Sequence, residues 1–218
     1  MNFLEIEKDP EIREYIKSSD KFLMQMGYTE HSFAHVKRVA LLAGDILISL
    51  GYKKREAELA KIAGFLHDIG NMINRVDHAH TGAVLAFSLL KERGFSPEDI
   101  AAVCGAIGNH DEKTGYPVSA VCAAVILADK TDVRKTRVRN RQEVLTDIHD
   151  RVNAAVTESN LQLDTEKKEI VSRIRVDTEI SPVMDYFEIF LERMLMCKRA
   201  AEYLGLRFRV VINETKIL

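Results

Sequence analysis

The stretch Gly64-Phe65-Leu66-His67-Asp68-Ile69-Gly70-Asn71 constrains this chain more than any other. An apolar helical run ends there on an imidazole and a carboxylate, side by side. Both are good ligands for Zn, Fe or Mn, and few sequences place the two together there without a metal. Neighbours on an α-helix point about 100° apart. The pair therefore serves one ion only over the edge between them, or the Asp bridges two ions. The competing reading is a helix-end His beside a solvated Asp, and the rest of the chain must decide.

The first 145 or so residues read as helices. Asp9-Pro10 opens a helix that runs to about Met26 and stops at Gly27. Ser32 caps a second, in which Val36, Val39, Ala40, Ala43, Leu47 and Leu50 recur at helical spacing before Gly51. A third spans Lys54 to Ile69, and a fourth runs from His78 to Gly94. Ser96-Pro97-Glu98 starts a fifth that reaches Asn109, and a sixth, very apolar and buried, covers Ser119 to Asp129. Polar sequence from Lys130 to Arg141 leads into a seventh.

The period changes after His149. Leu161 and Leu163 alternate with polar residues, Asp164-Thr165-Glu166-Lys167 makes a turn, and Ile170, Ser172, Ile174 and Val176 share one face. Ser181-Pro182 then starts an amphipathic helix carrying Val183, Phe187, Phe190, Leu191, Met194, Leu195 and Leu204. Leu206, Phe208, Val210 and Ile212 alternate in a last strand. The expected architecture is mainly α: a helical domain over residues 1–148, followed by a β-β-α-β element over 149–218. That element holds no ligand cluster and no phosphate loop, so it reads as a packing or dimerisation element, through which two copies form a homodimer.

At 218 residues with net charge −2, the chain is long enough for a real core and too weakly charged for bulk electrostatic binding to nucleic acid or membrane. Cys104, Cys122 and Cys197 are far apart, without zinc or disulfide spacing, and read as small core residues in a reducing compartment. The N-terminus carries acids rather than an apolar signal core, and no run nears the roughly 18 apolar residues of a membrane span. These features point to the cytoplasm.

Six candidate ligands lie on or at the ends of the expected helices, toward their apolar sides: His35, His67, Asp68, His80, His110 and Asp129. A helix bundle can converge such residues on one interior point. Burying Asp129 after Val125-Ile126-Leu127-Ala128 is costly unless it meets a metal or a partner such as Lys130 or an arginine. His78 and His149 read as exposed polar positions, and His31 as a first-turn surface histidine.

The order His35, His67-Asp68, His80, His110, Asp129 resembles the HD-domain superfamily of metal-dependent phosphohydrolases in its two-metal form, over residues 30 to 135. The resemblance implies an all-α fold there. It implies one ion on His35, His67, Asp68 and Asp129, with Asp68 bridging to a second on His80 and His110, and a bridging hydroxide as nucleophile. The implied cofactors are two divalent transition-metal ions, Fe or Mn foremost, with Zn, Co or Ni as further candidates. The sequence departs from the cyclic-dinucleotide HD-GYP subfamily, with Asn71 where that group carries Lys and His110-Asp111-Glu112 before a short Gly115-Tyr116-Pro117 loop. No cyclic dinucleotide is assigned. His31, four residues before His35 and hence on the same helix face, stands where that group carries a further acidic ligand, so support for a third ion is the alternative to its surface reading.

After Asp129 comes a basic run, Lys130, Arg134, Arg137, Arg139 and Arg141. Lys130 and Arg134 are expected to contact substrate phosphate, as is Arg38, one turn after His35; the rest read as solvated surface. Asp111 is expected to orient His110 or act as a general acid. The expected activity is hydrolysis of a small phosphate ester, that of a nucleotide, with Asp68, Asp111 and Lys130 as catalytic residues. Two readings compete: a di-iron oxygenase of the same superfamily, as inositol oxygenase is, and a non-catalytic ligand-binding module.

Overall fold

Side-chain caps set most of the helix starts. In a computed structural model, described over residues 1–139 and 148–218, Asp9 accepts from the Glu11 and Ile12 amides at the start of α2 (Pro10–Gln25). Ser32 caps α3 (Phe33–Ser49), Ser96 caps α6 (Pro97–Gly108) and Ser119 caps α7 (Ala120–Lys130). A short α1 (Phe3–Lys8) precedes them, closed by a capping box between Asn2 and Glu5 that the sequence reading overlooked. The remaining helices of the body are α4 (Lys54–Leu66) and α5 (His78–Glu92).

α4 stops three residues short of the expected Ile69, and Ile69–Met72 forms a 3₁₀ turn. α3, α4 and α7 make the centre of the body. Gly64 lets α4 lie against α3, since a Cβ there would come 3.0 Å from the Ala40 backbone. Every residue of α7 from Val121 to Lys130 is buried, as its apolar sequence predicts.

After α7 the chain turns through a 3₁₀ segment at Lys135–Arg137, and α8 (Ile148–Ala155) follows. Arg141 lies outside the described residues. β1 (Val156–Asp164) and β2 (Glu169–Val176) form the expected antiparallel hairpin, with Leu163 opposite Ile170. α9 (Val183–Tyr203) carries the chain to β3 (Arg207–Ile212), parallel to β2, and a two-residue β4 (Thr215–Lys216) ends the sheet in the order β1-β2-β3-β4. Ile170, Ile174, Phe208, Val210 and Ile212 face inward.

The buried stripe of α9 is Tyr186, Phe190, Met194, Cys197 and Ala201, which seats the helix against α7. Leu191 and Leu195, expected on that face, are about half exposed. All three cysteines are free. Burial pushes the Cys104 and Cys122 thiols up to about 11 and Cys197 higher still, which suits packing and not thiolate chemistry. Among the described residues no helix is long and apolar enough to cross a membrane.

Candidate metal centre

Five elements meet at Asp68. His67 closes α4 in helical conformation, and Asp68 follows at φ −96°, ψ 3°, the bridge region between helix and strand. That break in the helix turns both side chains to one point. His35 comes from the first turn of α3, Asp129 from the last turn of α7, and His110 lies just beyond α6. Gly70 is what lets α5 reach the same point. A Cβ at Gly70 would lie 2.0 Å from the His78 carbonyl oxygen and 2.6 Å from the Gly82 nitrogen, both backbone atoms that cannot yield. The absent side chain brings the N-terminus of α5, and with it His78, against the turn.

The two Asp68 oxygens face two groups of donors. On the Oδ2 side His67 Nε2 is 3.1 Å away and His35 Nε2 3.8 Å, and Asp129 Oδ1 lies 3.3 Å from His35 Nε2 and 3.5 Å from His67 Nε2. On the Oδ1 side His78 Nε2 is 3.6 Å and His110 Nε2 3.9 Å away, with the two nitrogens 3.2 Å apart. His31 Nε2 stands 3.9 Å from Oδ2.

All five imidazoles are held the same way round. Nδ1 of His31, His67, His78 and His110 sits 2.6–3.1 Å from the carbonyl oxygens of Thr29, Gly64, Arg75 and Ile107, and Nδ1 of His35 sits 2.8 Å from Asp132 Oδ2. A carbonyl only accepts, so Nδ1 carries the proton and Nε2 presents its lone pair to the centre. His35 Nε2 and His67 Nε2 are fully buried and have no hydrogen-bond partner among the described residues. Two orphaned ring nitrogens aimed at two carboxylates fit a cation. So do the spacings, because donors roughly 2.0–2.2 Å from a metal stand about 3–3.5 Å from each other. The sets His35/His67/Asp129 and His67/Asp68/His110 each keep their ligand atoms within 4.8 Å.

The charges agree with that chemistry. Burial alone would raise Asp68 and Asp129, yet neighbouring positive charge holds both well below the usual carboxylate range, His67 acting foremost on Asp68, Lys130 and His67 on Asp129. Burial lowers His31, His78 and His110, so these imidazoles are neutral, the form that binds metal. Burial pulls the same way on His67, but Asp68 and Asp129 outweigh it and push that ring up to about 10, so without an ion a proton on its Nε2 takes the place between the two carboxylates that a cation would fill.

His35, His67, Asp68, His110 and Asp129 thus come together as the sequence predicts; His80 does not. It is 58% exposed and pairs with Asp77, whereas His78 is 3% exposed and occupies the expected place. The two are about 200° apart on the helix, so only one can face inward. The signal was present in the small residues Gly82 and Ala86, which continue the His78 face at four-residue steps, while Val84, exposed, follows His80.

Four more residues have partners other than those expected. Arg38 and Arg134 bind Asp132 at 3.0 Å and 2.6 Å and do not line the cavity over the centre. Asp132, which sequence reasoning passed over, thereby fixes His35. Lys130 lies beside the centre, but its ammonium is engaged by Asp129 Oδ2 at 2.8 Å and Glu112 Oε2 at 2.7 Å. The partner that orients His110 is the Ile107 carbonyl, and Asp111 makes no side-chain bond to His110. Asn71 both donates and accepts, which a lysine could not: its amide nitrogen holds the Asp68 carbonyl and Oδ1, each at 2.9 Å, and its oxygen accepts from Arg75.

A cavity of about 50 Å³ opens above the ligands. His31, Asp68, His78, His110 and Asp129 form its floor. Arg75, Lys130 and Arg137 stand around it, and Phe190 and Arg193 of α9 close one side. The β-β-α-β element therefore contributes a wall of the site.

The chain is similar to several known proteins. A family model, HD domain, matches residues 32–155. Ribonuclease Y of Desulforudis audaxviator is 26% identical over 208 residues, 93% of this chain and 38% of that protein. Ribonuclease Y of Campylobacter concisus is 33% identical over 141 residues, 64% of this chain and 25% of that protein. The chain spans less than two fifths of the length of these curated relatives. A crystal structure of a predicted HD superfamily hydrolase from an uncultured Thermotogales bacterium covers 62% of this chain and 75% of its own, with 30% identity and a TM-score of 0.46.

Proposed function

This chain belongs to the HD domain family, and from that premise we propose that it is a metal-dependent phosphohydrolase that cleaves a phosphate ester of a nucleotide, using two divalent transition-metal ions. The observation that carries the reading is the common orientation of the imidazoles, with Nδ1 capped by an acceptor and Nε2 turned to Asp68 and Asp129. In this reading His35, His67, Asp68 and Asp129 would hold one ion, and Asp68, His78 and His110 would hold the other. Such ions supply Lewis acidity toward phosphoryl oxygens and bring the pKa of a water near neutrality. Fe and Mn suit this set of imidazoles and carboxylates, and Zn, Co and Ni are also accepted by it.

The chain's own groups do the rest. Asn71 and Asp132 keep Asp68 and His35 in place, so the donors need little rearrangement. Lys130 balances the negative charge of Asp129 and Glu112. Arg75 and Arg137 face the cavity, where a phosphate would sit, and hold negative charge over the floor. Three free thiols fit a reducing compartment, the cytoplasm.

A second substrate reading comes from the relatives' name, Ribonuclease Y, which favours a phosphodiester of RNA. The test is hydrolysis by Mn- or Fe-loaded protein on a panel of nucleotides and short oligoribonucleotides. Turnover abolished by His67→Ala and Asp68→Ala is expected. Absence of turnover across the panel with both ions bound refutes the hydrolase reading, and oxygen uptake by a reduced di-iron form would replace it with an oxygenase.

A further inference from the structure

The cations around the cavity differ in how much of their hydrogen-bonding capacity is already used. Lys130 is held by two carboxylates. Arg137 gives Nε to the Glu30 carbonyl at 2.9 Å and Nη1 to the Asp132 carbonyl at 2.8 Å. Arg75 spends Nη1 on Asn71 Oδ1 at 3.2 Å and on His78 Nε2 at 3.3 Å, and lies over the Tyr28 ring. Arg193 is different. Its Nε donates to Glu112 Oε1 at 3.2 Å and its guanidinium packs over the Phe190 ring, 4.7 Å from the centroid. Its two terminal nitrogens make no hydrogen bond among the described residues. The side chain lines the cavity and is 27% exposed.

That anchoring is a chain of contacts from the metal floor to the C-terminal element: Asp129 to Lys130, Lys130 to Glu112, Glu112 to Arg193. α9 itself packs on α7, with Tyr186, Phe190 and Met194 buried. Arg193 is therefore a pre-placed fork of two N–H donors, the geometry that binds phosphate oxygens in pairs. The cavity, about 50 Å³, has room for a few water-sized groups, enough for a phosphoryl group over the metal floor. Phe190 and Arg193 of α9 stand along one side of that cavity.

We propose that Arg193 is a substrate-binding residue that grips a terminal phosphate, and that through it the C-terminal element selects phosphomonoester dianions over internal diesters. This rests on the phosphohydrolase reading above. The experiment uses the full chain loaded with Mn, as wild type, Arg193→Gln and Arg193→Lys. Inorganic phosphate binding is measured by calorimetry, and hydrolysis of p-nitrophenyl phosphate is compared with that of bis(p-nitrophenyl) phosphate. Losing a charge-assisted contact should weaken phosphate binding about 10- to 100-fold in Arg193→Gln. KM for the monoester should rise in step and the monoester preference fall by the same factor. Arg193→Lys should recover part of each, with metal content and Tm unchanged in both.

Equal phosphate affinity in wild type and Arg193→Gln overturns the proposal, as does a wild type that prefers the diester or that hydrolyses esters without binding phosphate. Phosphate binding that depends on Arg193, in a protein that hydrolyses no ester, would leave the contact standing and remove the hydrolase reading instead.

Discussion

Replacing His78 by Ala should strip one ion from the centre, whereas replacing His80 by Ala should strip none. His78 is one of two imidazoles facing the Oδ1 side of Asp68, with His110 3.2 Å from it, while His80 points to solvent. Loss of a residue that merely supports a metal ligand costs 10–100-fold in affinity, so loss of a ligand should cost about 100-fold or more. With free Mn held near ten times the dissociation constant of the second site, wild-type occupancy is about nine tenths and that of His78→Ala about one tenth. The second ion then stabilises the wild type by about 1.4 kcal/mol and the variant by under about 0.1 kcal/mol. For a chain of this size the difference is about 3–6 °C in Mn-dependent Tm. Metal analysis after gel filtration should give two ions per chain for wild type and His80→Ala, and one for His78→Ala. Two ions in His78→Ala, or a loss in His80→Ala, would refute the geometry from which the second site is drawn.

Other outcomes follow from the same contacts. Asp132→Asn should weaken the ion on the His35 side about 10- to 100-fold and leave the His78 side untouched, read by metal titration of each variant. Gly70→Ala forces a Cβ onto the His78 backbone; denaturant unfolding should show a loss of about 3 kcal/mol or more, together with loss of the second ion. Asp9 caps α2, and its bond to Arg93 holds its carboxyl below the ordinary 3.8 against a smaller opposing effect of burial. Asp9→Ala should therefore cost about 1 kcal/mol at pH 7. Because the folded pKa is the lower one, this stabilisation is complete above 3.8 and disappears as pH falls through the folded value, so wild-type and variant unfolding curves should converge in acid.

The sequence by itself determined much of this protein. Local signals that act over a few residues placed the caps at Asp9, Ser32, Ser96 and Ser119, the hairpin turn after Asp164, and the buried run of α7, and they are where the sequence put them. The pairing of His67 with Asp68, and the placement of His35, His110 and Asp129 at helix ends, were legible because burial of a polar residue in an apolar run demands a partner. Tertiary structure decided the rest. Whether His78 or His80 turns inward depends on the rotation of α5, which the contact at Gly70 sets and local periodicity does not. Arg38 and Arg134 follow Asp132, Arg193 arrives from a helix more than sixty residues after Asp129, and Asn71 reaches Asp68 only because the chain tightens into a 3₁₀ turn. Side-chain direction and long-range contact are properties of packed elements, and packing joins residues that no window along the chain holds together.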